Sequence, residues 1–484
     1  MASTGSITSA GLGSGIDIES LVTKLMAIES QPITTLQKRE TSYQSKLSAY
    51  GVLKSSLSSF QTTADAIGTA TKLASYTATL ANTAAATATT SESARAGSYS
   101  LSVTNLAAAQ KVRSAGYASQ TATITSGTLA LNLGTLSSDG TTFTPDSSKA
   151  VNIEISAAKG TNTLSGLRDA INASSAGVTA TIVNDGGSSN AYHLMLTSKD
   201  TGTTNAFSVS GIDGLTYSPA STATGNQLTS VQQATDAKFS LDGINITSAS
   251  NVVSTAIDGV TLTLTGTTTT ATTLTVASDT AAIQKKVQAF VDGYNSMMSL
   301  MKSQTKTTSS TKLTSSTSTS STSSDGPLAA DSTVRTIQNQ LRSLATSSVG
   351  SGSITRLADV GISIDSSGTM SLNSTKFQAA LASSPSGVAN LFTKTTSSNG
   401  IASQVSEKIT AYLGTDGLLA TRTDGIQKTI TSMDKQIENL QNRMDTIETR
   451  YRKQFTAMDS MVASMNSTSS YLTTQFKSLL TSYA

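Results

Sequence analysis

Cysteine and tryptophan are absent from this 484-residue sequence, histidine occurs once, and aromatic side chains make up only 4%. Without thiols there is no disulfide framework, thiolate metal site or cysteine nucleophile, and the chain could leave a reducing compartment without oxidative folding. A single imidazole, His193, excludes a multi-histidine metal centre. With so few aromatics, burial must rely on Ala, Leu, Ile, Val and Met, which predicts thin cores and elongated domains. Charge is also scarce, at 13% of residues and a formal net of +3, with Lys and Arg scattered. No concentrated basic face exists to hold a phosphate backbone, so nucleic acid is not an expected partner. No apolar run approaches the length of a membrane span. Met1 to Gly15 carries neither charge nor an apolar stretch, so if the protein works outside the cell, export without a cleaved leader is expected.

What is abundant is Ser and Thr, about a third of the chain, and apolar periodicity of two kinds. The last sixty residues carry Ile426, Ile430, Met433, Ile437, Leu440, Met444, Ile447 and Tyr451 in alternating steps of four and three, the seam of a coiled coil. An extra step of four leads to Phe455, and the ladder resumes through Met458, Val462, Met465, Leu472 and Phe476. Such a stutter predicts that the terminal part packs differently from the part before it. The amino end mirrors this. Ile18, Leu21, Val22, Leu25 and Ile28 form one helical stripe, Pro32 reads as its break, and a second stripe runs from Leu36 through Leu47, Tyr50, Leu53, Leu57 and Phe60 to Ile67.

Between these ends the period changes to two, as in Tyr99-Leu101-Val103, Val151-Ile153-Ile155 and Leu262-Leu264. Asn184 to Gly187 supplies turn residues, and Thr163 caps a short helix carrying Leu164, Leu167 and Ile171. Helical pattern returns at Thr280, fails at Ser303 where eighteen of the next twenty-two residues are Ser or Thr, and resumes from Ser332 to Leu344. A hairpin around Val360 to Leu372 turns at Asp365 to Gly368, before helices at about Ser374 to Ala382 and Ile401 to Leu413.

The expected fold class is therefore multidomain α+β, a helical coiled-coil stalk from both termini with inserted, mainly β head domains. The boundaries read as a flexible terminal helix over 1–36, a helical leg over 37–75, and a β head over 76–278 with subdomains 76–115 plus 233–278 and 116–232. A second leg part spans 279–423, with a disordered loop at 303–324, and a terminal coiled coil spans 424–484. The residues expected to form an assembly interface are Leu21, Leu25, Ile28, Leu47, Tyr50, Leu53, Leu57, Ile430, Ile437, Leu440, Met444, Ile447, Tyr451, Phe455, Met458, Val462 and Met465. Lys428, Lys435, Glu438, Arg443, Asp445, Glu448, Arg450 and Arg452 flank the seam with mixed signs, as positions that select a partner do.

Catalytic readings find little support. His193 alternates with Tyr192 and Leu194 in a strand pattern and lacks the clustered partners of a site. Gly11 to Gly15 follows no strand and lacks the lysine of a phosphate loop. Asp169, Asp185, Asp213, Asp236, Asp242 and Asp258 sit among turns and helix surfaces with no acid–base pair apparent. No enzyme activity and no cofactor is expected.

Several segments together resemble the bacterial flagellar filament cap, or hook-associated protein 2, family. They are Ile7 to Asp17, Leu21-Val22, Pro32-Ile33, Lys46 to Lys54, Tyr99 to Gln110, Gly326 to Arg335, Leu357 to Ile362, Gly417 to Ala420 and the final heptads, in order along essentially the whole chain. The resemblance implies a secreted, extracellular protein at the distal tip of the flagellum, forming a homo-oligomeric ring of five or six subunits. It implies flagellin, the flagellar export apparatus and an export chaperone as partners, and a role in retaining exported flagellin and promoting its polymerisation. Host mucin or a cell surface is a further partner that an exposed, hydroxyl-rich head would allow. A surface adhesin, and a flagellin or hook–filament junction subunit, are the rival readings.

Overall fold

The computed structural model describes residues 17–307, 325–396 and 398–482. The chain divides into two compact units, one formed by Met1–Leu73 with Gln284–Ala484 and the other by the continuous segment Ala74–Ile283. Helices from both ends of the sequence thus share one unit, with a β-rich unit inserted between them in the chain. The fold is mixed α+β. In chain order the helices are α1 (Ile18–Glu29), α2 (Gln31–Asp65), α3 (Ala70–Leu73), α4 (Leu164–Ala173), α5 (Thr280–Gln304), α6 (Ser332–Thr346), α7 (Ser374–Ser383), α8 (Pro385–Phe392), α9 (Ile401–Leu413) and α10 (Leu418–Ser482).

In the helical unit, the Asp17 carboxylate accepts from the Ser20 amide at 3.0 Å and caps α1. Pro32 does not end that helix. α1 stops at Glu29, and Pro32 lies in the first turn of α2, where a missing N–H would have had no helical partner anyway. α5 likewise runs past Ser303, with the Thr305 amide still reaching the Met301 carbonyl at 3.0 Å. Most of the Ser/Thr-rich run expected as a loop, residues 308–324, lies outside the described residues. Helix α8, begun by Pro385, was not visible as a period, because its eight residues complete barely two turns.

The core of this unit gathers the largest side chains the sequence possesses. Phe60 of α2 lies 5.3 Å from Phe290 of α5 between ring centroids and 6.0 Å from Tyr294, and Phe290 meets Phe392 of α8 edge-on at 6.5 Å. Tyr50, Leu53 and Leu57 of α2, Ile337 and Leu341 of α6, and Val405 and Ile409 of α9 are buried in the same unit. Helices α2 and α5 approach closely at Gly293, where a β-carbon would come within 2.7 Å of the Thr63 hydroxyl. A second close approach sets the entry to α6. A β-carbon on Gly326 would stand 2.2 Å from the Gln304 carbonyl, and the chain then turns through Ala330 at φ 60° into the Asp331 cap. Strands β16 (Ile362–Ile364) and β17 (Met370–Leu372) of this unit pair antiparallel around the Asp365 to Gly368 turn.

The inserted unit contains β1 (Tyr76–Leu80), β2 (Ala86–Thr90), β3 (Gly97–Asn105), β4 (Lys111–Tyr117), β5 (Gly127–Leu136), β6 (Phe143–Ile155), β7 (Val178–Asn184), β8 (Tyr192–Ser198), β9 (Ala206–Ser210), β10 (Thr229–Gln232), β11 (Ala237–Leu241), β12 (Ile244–Ser248), β13 (Val252–Ile257), β14 (Val260–Leu264) and β15 (Thr272–Ser278). A five-stranded sheet ordered β1-β15-β3-β11-β12 and a three-stranded sheet ordered β13-β14-β2 enclose one core. Its members include Leu101, Val103, Phe239, Leu262 and Leu274. Sheets β10-β4-β8-β7 and β6-β5-β9, with α4, enclose a second core that includes Leu129, Leu131, Leu196, Phe207 and Val209. The strand pairings are antiparallel, which lets one face of each sheet stay polar and explains how a Ser/Thr-rich segment alternates so regularly. Thr163 accepts from the Gly166 amide at 3.0 Å, and Leu164, Leu167 and Ile171 of α4 are fully buried.

Where the chain passes from the first core to the second, Gln110 is itself fully buried. Its amide nitrogen donates to the Phe207 carbonyl at 2.7 Å, and its amide oxygen accepts from the Phe207 N–H at 3.0 Å. Its backbone N–H donates to the Ser198 hydroxyl at 3.0 Å. A side chain here completes the hydrogen bonding that a neighbouring strand would otherwise supply. Gln110→Leu would leave the Phe207 N–H and carbonyl buried without partners, and is expected to cost roughly 2–4 kcal/mol. Urea unfolding of the full chain by circular dichroism, with hydrogen exchange at Ala206–Ser210, checks this. An unchanged midpoint with unchanged exchange would show that these bonds add nothing net.

Candidate functional site: an apolar seam on the terminal helix

Helix α10 is 65 residues long, about 98 Å at the helical rise of about 1.5 Å per residue. It packs along α2, and also against α1, α9 and α6. The structure divides its ladder in two. Ile426, Ile430, Met433, Ile437 and Ile447 are buried, and Leu440, Met444 and Tyr451 are half-buried. Beyond Tyr451, Phe455 and Val462 are half-buried, while Met458 and Met465 are exposed at 38% and 65%. Met461, Tyr471, Leu472 and Phe476 continue this uncovered stretch, with Met461 at 67% and Phe476 at 66% exposure. Met461 and Tyr471 lie off the strict heptad positions, which is why period counting passed them over.

The amino-terminal candidates divide in the same way. Tyr50, Leu53 and Leu57 lie inside the unit's own core, so they hold helices of one chain together and offer no free surface. Leu47 and Leu25 are half-buried, whereas Leu21 and Ile28 are exposed at 38% and 63%. In α1 it is Ile18 and Val22 that are covered. Of these candidates, Leu21 and Ile28 of α1 and Met458 and Met465 of α10 are the exposed ones.

Ion pairs fix where the covered seam ends. Arg452 donates from Nη1 and Nη2 to the two Glu19 carboxylate oxygens at 2.6 and 2.7 Å, and from Nε to Glu448 at 2.8 Å. This two-pronged bond holds the Glu19 carboxyl below its ordinary range and raises the guanidinium. Lys428, Lys435, Glu438, Arg443 and Asp445 make no ion pair among the described residues, and Arg450 stacks over the Tyr451 ring at 5.6 Å. At the start of α10, Arg422 pairs with Asp331 at 3.1 Å, and Asp331 caps α6 by accepting from the Thr333 and Val334 amides at 2.9 and 3.4 Å. Burial works to raise the Asp331 carboxyl, but Tyr50, Arg422 and the Thr333 amide outweigh it and hold the group below its usual range. Sequence reasoning gave neither Glu19 nor Asp331 its ion-pair partner, although an Asp before Ser-Thr-Val-Arg is a readable helix start.

His193 is a cross-link within the inserted unit. Its Nδ1 lies 3.0 Å from the Ser114 carbonyl and its Nε2 lies 3.2 Å from Asp185. Among the described residues no group of acidic, histidine or cysteine side chains is arranged to hold a metal, and no helix is long and apolar enough to cross a membrane.

Comparison with known proteins adds the decisive observation. The chain is 38% identical over 479 residues to the flagellar hook-associated protein 2 of Escherichia coli K12, covering 98% of both sequences. It belongs to the flagellar hook-associated protein 2 family. Family models described as the amino and carboxyl termini of flagellar hook-associated protein 2 match residues 14–110 and 234–467, and one described as the flagellin hook IN motif matches 128–200. The A-type flagellar hook-associated protein 2 of Pseudomonas aeruginosa is 32% identical, with 98% of each chain covered. The crystal structure of the D1-D2-D3 domains of the flagellar cap protein FliD from Escherichia coli superposes with a TM-score of 0.61 at 35% identity, over 78% of this chain and 99% of that one. The family is one of structural flagellar cap proteins and not of enzymes. The hook IN motif falls wholly within the second β core, and the two terminal models meet the chain on either side of it.

Two outcomes follow for the ties. Arg452→Ala is expected to release α1, seen as faster hydrogen exchange and earlier proteolysis within Ile18–Glu29, and added salt should act in the same direction on the native protein. Equal protection in the two proteins would assign the docking of α1 to Ile18 and Val22 alone. Because the Asp331 carboxyl is depressed below its ordinary 3.8, its contribution is complete above that value and is lost as pH falls through the folded value. Asp331→Ala is expected to cost roughly 2–4 kcal/mol at neutral pH, and Asp331→Asn less because the cap acceptor survives. Both should weaken the acid dependence of urea unfolding as pH falls below the ordinary carboxyl value; a wild-type dependence in both variants would remove Asp331 from the account.

Proposed function

We propose that this chain caps the distal end of the flagellar filament, closing with copies of itself into a ring of five or six subunits. In that position it retains exported flagellin and promotes its polymerisation. The observation that carries the reading is the match to the flagellar hook-associated protein 2 of Escherichia coli across 98% of both chains, supported by the likeness to the flagellar cap protein FliD. The physical support lies in α10, whose far part keeps Met461, Met465, Leu472 and Phe476 uncovered. Exposed apolar side chains in a continuous stretch call for a covering partner. The proposed assembly surface is therefore Met458, Val462 and Met465 with Leu21 and Ile28, and its partners are neighbouring copies and flagellin. Reaching the filament tip further requires the export apparatus and an export chaperone. The hydroxyl-rich inserted unit would be the part presented to mucin or host cells.

Negative-stain imaging and sedimentation of the purified protein test the ring, and complementation of a strain lacking its cap tests the role. Closed rings and restored filaments, with less flagellin shed into the medium, are the expected results. Met461→Ser with Met465→Ser should weaken ring formation while leaving the unfolding free energy from urea titration within about 0.5 kcal/mol of wild type, because exposed positions contribute little to folding. Monomer at every concentration, or open filaments of the protein itself, would overturn the proposal.

A further inference from the structure

Twelve methionines stand in a chain without cysteine or tryptophan, so no thiol or indole competes with them for a mild two-electron oxidant. Exposure divides these thioethers sharply. Met297, Met298, Met301, Met370 and Met433 are buried, and Met26, Met195 and Met444 are half-buried. Among the described residues the exposed methionines are Met458, Met461 and Met465, and all three lie in the far part of α10.

Steps of three and then four residues set these methionines one above the other on a single face of the helix. No Asp, Glu, Lys or Arg occurs from Ser460 to Phe476, so uncharged side chains alone set the polarity of that stretch. A sulfoxide turns a flexible apolar side chain into a polar, chiral one. Two such changes four residues apart remove much of the apolar character that a covering partner would use. Folding is a separate matter, because Met461 and Met465 stand in solvent and contribute nothing to the buried core.

We propose that Met461 and Met465 of the unassembled subunit are sites of reversible oxidation by hydrogen peroxide, and that their sulfoxides oppose the covering of this stretch by neighbouring copies. The second half rests on the assembly surface proposed above. The thioether sulfur attacks one peroxide oxygen, so that an S–O bond forms as the O–O bond breaks. Sulfur loses two electrons, and its hydroxyl proton joins the departing hydroxide as water. An external dithiol reverses the step, leaving as a disulfide while the oxygen departs as water. A sulfoxide pressed against an apolar surface without a donor is costly, which is how the modification acts on assembly.

Limited treatment of the full-length, unassembled protein with hydrogen peroxide, followed by peptide mass mapping, tests the site. Met461 and Met465 should gain oxygen at least about tenfold faster than Met297, Met301 and Met370, whose sulfurs are reached only when the helical unit opens. Equal rates in protein with an unchanged circular dichroism spectrum would overturn the site. Sedimentation of the same samples reads the consequence. Oxidised protein should need at least about tenfold higher concentration to form rings. Methionine sulfoxide reductases A and B with dithiothreitol should restore the original value. Peroxide should shift Met461→Leu with Met465→Leu by less than about twofold from its own untreated sample. Ring formation unchanged with both sulfoxides in place, loss of helical signal on oxidation, or an equal peroxide effect in the leucine variant would overturn the switch. Untreated protein that never forms rings would count against the cap reading instead, and the oxidation rates would still decide the site.

Discussion

The covering of α10 by α2 is the contact on which the helical unit depends. A single helix of 65 residues with an apolar stripe calls for a covering surface, because helices in proteins gain most of their stability from the packing of such a face. Helix α2 has 35 residues and covers only the nearer part of that stripe, where Ile426, Ile430, Met433, Ile437 and Ile447 are buried. The mismatch in length determines the rest. One part of α10 is satisfied within the chain, and the other is left with Met461, Met465 and Phe476 in solvent.

Charged groups are placed where elements from distant parts of the sequence converge. Asp331 terminates α6 and at the same time holds Arg422 of α10, so one carboxylate fixes both the start of a helix and its neighbour. Glu19 and Arg452 do the same for α1 at the point where the buried seam gives out. The exposed Glu19–Arg452 pair adds little to stability but sets register, whereas Asp331 is buried and its loss is costly. The inserted unit uses the neutral counterpart of the device, with Gln110 replacing strand-to-strand bonds at the passage between its two cores.

Local period explains what could be read in advance. The α10 ladder, the α4 cap at Thr163, the strand alternation at Leu101 and Val103, and the hairpin at Asp365 to Gly368 are written within a few residues of themselves. Pairings that span the chain are not. Glu19 meets Arg452 across 433 positions and Gln110 meets Phe207 across 97, and no local rule points from one to the other. The same heptad spacing also serves two ends. Leu53 and Leu57 repeat exactly as interface residues would and yet are core, because the period reports an apolar face and not what covers it.

That ambiguity bears on function. A structural protein that must join others needs an apolar face, and a folded domain needs one too, so the sequence signal for assembly and for stability is the same. What separates them is the supply of partners within the chain. In this unit Phe60, Phe290, Tyr294 and Phe392 form the inner aromatic cluster, while Tyr471 and Phe476 of α10 stay exposed. Among the described residues, most side chains of α10 beyond Tyr451 are exposed. An apolar helix face gains order when another surface covers it, and a flagellar cap, surrounded by its own copies and by flagellin, is a setting that provides one.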